Sequence, residues 1–223
     1  MSTRARLTVL AACAVVALLT AWYAGSRAAP SRPDAPAGTV RLGPEAGEDV
    51  AAYLARLPAT LPPDGVRTSA LVQLAAQVSP TDALAAVAGT TPLTVVFRVP
   101  LPRVQTALRF VALEPDVPEA TALDNARAQA EQAAGVDARQ PGRAGALGAA
   151  EARALADPKC RCVLALLVDG DRAGLVALAG RGAVRAVEAA PVGTVDPALA
   201  PLLPEQTVRT DPPPDDGPIP KLG

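Results

Sequence analysis

From Leu7 to Ser26 the chain runs without a single charge, LTVLAACAVVALLTAWYAGS. Twenty apolar and small residues match the hydrocarbon thickness of a bilayer, so this run predicts a transmembrane helix. Arg4 and Arg6 precede it, and Trp22 and Tyr23 sit at its far end. That arrangement predicts a single-pass plasma-membrane protein with its N-terminus cytoplasmic and its C-terminal domain outside. Two other fates compete: signal cleavage after Ser26 or Ala28, releasing a secreted protein, and lipid attachment at Cys13 in Leu10-Ala11-Ala12-Cys13.

Residues 27–47 carry Pro30, Pro33, Pro36 and Pro44 among small residues and read as an extended linker. In Glu48–Leu57, Val50, Tyr53, Leu54 and Leu57 recur at helical spacing, and Pro58 ends the run. Two later stretches then share one pattern. Ser69–Pro100 and Arg161–Pro191 each pass from a Val/Leu-rich run through a polar turn to a short Ala/Leu helix, and return in a second apolar run. Ser79-Pro80-Thr81-Asp82 supplies a capping residue, a first-turn proline and an acid; Asp171 fills the capping place in the second stretch.

Each stretch is therefore expected to form a βαβ unit, with its two strands pairing parallel around a helical crossover. Two units in series predict an α+β domain of ferredoxin-like, split-βαβ type spanning 48–195. Strict alternation would place Val163 and Ala165 on one sheet face and Leu164 and Leu166 on the other. Val95 and Phe97 would likewise oppose Val96. Leu71, Leu74, Ala75 and Val78 also fit a helix, which makes the first strand ambiguous. An insertion, about 101–160, is expected to hold a helix over Pro118–Ala134, capped by Asp116 or Val117, and a second over Ala149–Ala156 after a glycine-interrupted stretch. The helix Glu48–Leu57 and this insertion are left to cover the sheet's second face. Asp196–Gly223 is proline-rich and reads as a disordered tail.

Composition narrows the chemistry. Trp22, Tyr23, Tyr53, Phe97 and Phe110 are the only aromatic residues, so the core must be built from Leu, Val and Ala. Net charge is −1, which leaves no basic excess for nucleic acid. Lysine occurs only at 159 and 221, while arginine, alanine and proline are frequent, a bias expected of a GC-rich bacterial genome. The absence of histidine excludes Ser-His-Asp and Cys-His catalysis and histidine-based zinc sites.

The remaining candidates are few. Cys160 and Cys162 form a C-x-C pair between Lys159 and Arg161. In an extracytoplasmic domain the pair predicts a disulfide, provided that the Asp157-Pro158 turn bends the chain. Asp169-Gly170-Asp171 reads as a helix cap rather than a cation site. Asp211, Asp215 and Asp216 in a loose tail would hold no calcium geometry, and Glu45, Glu48 and Asp49 suit a helix N-terminus. No catalytic, cofactor-binding or metal-binding residue is assigned, and no cofactor is expected. The sequence thus points to a membrane-anchored, non-catalytic binding or structural module of the cell envelope with a possible envelope protein partner. The alternative is a thiol-redox protein using Cys160 and Cys162.

Overall fold

The computed structural model describes residues 39–220. The expected membrane segment 7–26 and residues 27–38 of the expected linker lie outside the described residues. No described helix is long and apolar enough to cross a membrane.

The chain is mixed α+β, and local chemistry accounts for most element boundaries. Strand β1 (Arg41–Leu42) leads to helix α1 (Val50–Arg56), where the Asp49 carboxylate accepts from the Ala52 amide. A 3-10 turn, Leu57–Thr60, follows. The ambiguous run is a strand, β2 (Arg67–Val78). Its apolar positions face both sides of a sheet buried on both faces, which a one-sided helix could not satisfy. Ser79 caps α2 (Pro80–Val87), with Pro80 at its start, and β3 (Thr91–Phe97) returns. Strand β4 (Arg109–Ala112) lies within the stretch expected to be an insertion. Helices α3 (Glu119–Asp137) and α4 (Gly142–Ala156) complete that stretch. The second unit is β5 (Val163–Asp171), α5 (Arg172–Ala179) capped by Asp171, and β6 (Val184–Ala189). Strand β7 (Ala198–Leu199) closes the series.

The main sheet has the order β4-β3-β5-β2-β6 and is antiparallel throughout. The expected direct parallel pairing around each crossover is therefore corrected. β2 and β3 run parallel but are separated by β5, and β5 and β6 are separated by β2. Each crossover leaves a one-strand gap, and the other unit fills it.

One face of the sheet carries α2, α3 and α5. Ala83, Ala86, Val87, Leu123, Ala126, Ala130, Leu175 and Leu178 pack there on Val72, Val95, Phe97, Leu166 and Val168. Val96 opposes Val95 and Phe97, as the alternation required. In β5 strict alternation fails. Val96 pairs with Ala165 and Phe97 with Val163, so Leu164 is an extra residue, a bulge. Leu164 and Ala165 consequently both face the second side, while Val163 and Leu166 face the helices.

Of the two elements expected to cover the second face, only α1 does so. The insertion helices lie on the first face. The second is covered by α1 and by the C-terminal segment read as a disordered tail. β7 pairs in parallel with β1, Arg41 opposite Ala198 and Leu42 opposite Leu199. Leu202 is buried against Val50, Tyr53, Leu57 and Ala186. Residues 196–220 are thus a strap, and Leu42, ahead of Glu48, already belongs to the buried core. Proline content alone misjudged the strap because its order comes from tertiary contacts. Arg98 binds Glu205, Arg103 binds Asp216, and Arg143 reaches Asp215 at 3.2 Å.

Candidate functional site

The two cysteines lie where α4 hands over to β5. Asp157 ends α4, its carbonyl accepts from the Cys160 amide at 3.0 Å, and its carboxylate accepts from the Lys159 amide at 2.9 Å. This turn supplies the bend that the pair required. Cys160 and Cys162 stand at disulfide distance with Cα atoms 5.3 Å apart, within the range for a bridge. Both are buried, Cys160 at 8% exposure and Cys162 at 1%. The Cys162 carbonyl accepts from the Arg98 amide at 2.8 Å, joining the pair to the end of β3.

The acidic candidates are each engaged in local structure. Asp171 caps α5 through the Gly174 amide at 2.8 Å, and Asp169 accepts from the Arg67 guanidinium across the β2–β5 ladder. The structure does not bring Asp211, Asp215 and Asp216 together as a ligand set. Asp215 and Asp216 are instead drawn to Arg143 and Arg103, and Asp211 lies 3.6 Å from Arg209. Glu45 pairs with Arg41 and Glu48 with Arg56. The hydrogen bond from Arg56 holds the Glu48 carboxyl below its usual value. Among the described residues no cluster of three or more Cys, Asp or Glu could hold a metal ion.

Two buried polar clusters were not foreseen. In the first, Glu188 of β6 accepts from the Gly43 amide at 2.6 Å, the Tyr53 hydroxyl at 2.9 Å and Arg56 at 3.1 Å. The Tyr53 oxygen in turn accepts from Gln73, whose own carbonyl takes the Leu202 amide. Burial, reinforced by the adjacent Glu188 charge, raises the Tyr53 pKa far above its ordinary value, so the phenol stays a donor. In the second, Arg109 bridges Asp137 at 2.8 Å and Glu151 at 2.5 Å, and Glu151 also takes the Ala107 amide. Burial opposes the Arg109 charge, but hydrogen bonds to both carboxylates prevail and raise its pKa.

Both clusters join separate segments of the chain. Gln73, Tyr53 and Glu188 tie β2, α1, β6 and the strap together, and Arg109 ties β4 to the two insertion helices. With their oxygens taken up by donors, these carboxylates serve as struts that satisfy buried polar groups. A sequence signal existed for Gln73 and Glu188, since each lies inside a largely apolar run (SALVQLAAQV; AVRAVEAAP). Tyr53 was legible only as part of an apolar helix face.

Comparison with known proteins finds no match to this chain, whether by family model, by curated protein or by solved structure.

Proposed function

We propose that this protein is a membrane-tethered, extracytoplasmic binding or structural module of the cell envelope, without catalysis, built on a ferredoxin-like split-βαβ domain. The fold part is supported by the order of four strands, β6-β2-β5-β3, with α2 and α5 as the two crossovers on one face. In that order the first and third strands are central, as a split-βαβ sandwich requires. The observation that carries the location is the buried Cys160–Cys162 pair at bonding distance, which suits an oxidising compartment. The charge pattern around residues 7–26 agrees. The reading as a module rather than an enzyme is supported by the engagement of Glu151 and Glu188 in structural hydrogen bonds.

The same cysteines support a second reading, a thiol-redox protein, because exposed Lys159 and Arg161 flank them and cations lower thiol pKa values. Burial of both sulfurs favours the structural role, since exchange needs an accessible sulfur. Protease added to intact spheroplasts is expected to digest residues 39–220, and full protection would reverse the topology. Intact mass is expected to rise by two hydrogens only after reduction. Disulfide exchange activity that disappears in Cys160→Ser would establish the redox reading instead.

A further inference from the structure

The two edges of the main sheet differ. Along β6, Thr60 Oγ1 accepts from the Ala189 amide at 3.1 Å, and Arg185 donates to Leu203 and Gln206 carbonyls at 2.9 and 2.5 Å. That edge is closed by the 3-10 turn and the strap. At the other end β4 is the terminal strand, and among the described residues no strand pairs with its outer side. The Leu113 amide donates to the Leu93 carbonyl at 2.8 Å, which sets the phase of the ladder. Arg109, Val111 and Leu113 turn their backbone groups toward β3. Phe110 and Ala112 therefore turn theirs outward, with their side chains on one face, and Glu114, just past the end of the strand, is exposed and accepts from the Asn125 side chain at 3.1 Å.

Exposed edges are ordinarily guarded by shortness, a charge, a proline or a bulge, and β4, four residues long, has only the first of these. β4 contains no proline, and its one charge, Arg109, is drawn inward onto Asp137 and Glu151. Phe110 stands 46% exposed beside exposed Ala112. At the C-terminal end of the edge, Glu114, Asp116 and Glu119 are all exposed and make that end acidic. We infer that β4 accepts an extended polypeptide segment as an added antiparallel strand. The segment carries apolar residues opposite Phe110 and Ala112 and a Lys or Arg at the end that meets the exposed carboxylates of Glu114, Asp116 and Glu119. This rests on the binding-module reading and names its surface and the chemistry of its partner. A second copy fits less well, because a twofold axis at Val111 would set Glu114 against Leu108 and leave the carboxylate unmatched. Four paired residues also bury too little surface for a stable dimer.

The test uses the full-length protein in detergent and two fluorescein-labelled peptides, Lys-Thr-Val-Thr-Val-Thr and the same sequence beginning with Glu. Fluorescence anisotropy is expected to show saturable binding of the lysine peptide, weaker by about fivefold for the glutamate peptide. Glu114→Lys should reverse that preference. Ala112→Pro, which removes an outward N–H and leaves the β3 ladder intact, should weaken binding by about tenfold or more. No saturable binding, or binding indifferent to both substitutions, overturns the inference. So does a dimer in sedimentation that Ala112→Pro dissociates, since the edge would then belong to a second copy. Protease accessibility on spheroplasts is measured separately, so a cytoplasmic domain and an unoccupied edge give different results.

Discussion

Glu188 holds the segment after β1 and helix α1 to β6. Its carboxylate takes donors from Gly43, Tyr53 and Arg56, and removing it leaves two of them, the Gly43 amide and the Tyr53 hydroxyl, buried without that acceptor. Glu188→Ala is expected to cost about 2–4 kcal/mol, less than a fully buried ion pair would because Arg56 is 42% exposed. Tyr53→Phe keeps the ring and loses only the hydroxyl, for about 1–3 kcal/mol. Urea denaturation of each variant measures both, and wild-type stability in either would show that the cluster is not a strut. Gly43 is constrained independently. It lies at φ +121°, and a Cβ there would sit 1.9 Å from the Ala200 carbonyl oxygen, so the β1–β7 pair forms only if this residue is glycine.

At the scale of elements, the strap is the part whose order is borrowed. Leu202 is 1% exposed, and Leu202→Ala is expected to destabilise the domain by about 2–5 kcal/mol. Truncation after Pro191 should do more, uncovering Leu71, Val96, Leu164 and Leu167 and raising the binding of a hydrophobic dye above that of the intact chain. A truncated domain that stays monomeric and dye-silent would remove the strap from the core. What the sequence disclosed and what it hid divide along the same line. Asp49, Ser79 and Asp171 were legible as caps because a capping side chain acts on an amide three residues away. The strap, the bulge at Leu164 and strand β4 were hidden because distant segments determine them. The glycines of α4 misled in the same way. Gly145 and Gly148 looked like helix breakers, yet a Cβ on either would strike the backbone around Asp137–Gln140, so they allow two helices to approach closely. The cysteine pair was legible as a pair and as a bend, whereas the struts at Tyr53 and Arg109 depended on partners from other elements.

On the scale of the whole molecule, several ion pairs hold the two ends of the domain to its body, and acid should release them. Arg56 lowers the Glu48 pKa, and Arg103 lowers that of Asp216. A carboxylate with a lowered folded pKa contributes stability that is complete above its unfolded value, near ~4, and is lost as pH falls through the folded value. The melting temperature is therefore expected to hold from pH 7 to about 5 and to fall below about 4; a melting temperature that rises on acidification would contradict the assignment. The position of β2 has a consequence for how the chain is made. Residues 67–78 occupy the second place from one end of the sheet, yet both neighbours, 163–171 and 184–189, are synthesised long afterwards. During synthesis the longer strand of the first unit waits unpaired, and the strap that seals its second face is made after both neighbours. A ribosome or an export channel therefore delivers a chain that cannot finish folding from its N-terminus onward. The waiting strand must be shielded by a chaperone, or fold only after release.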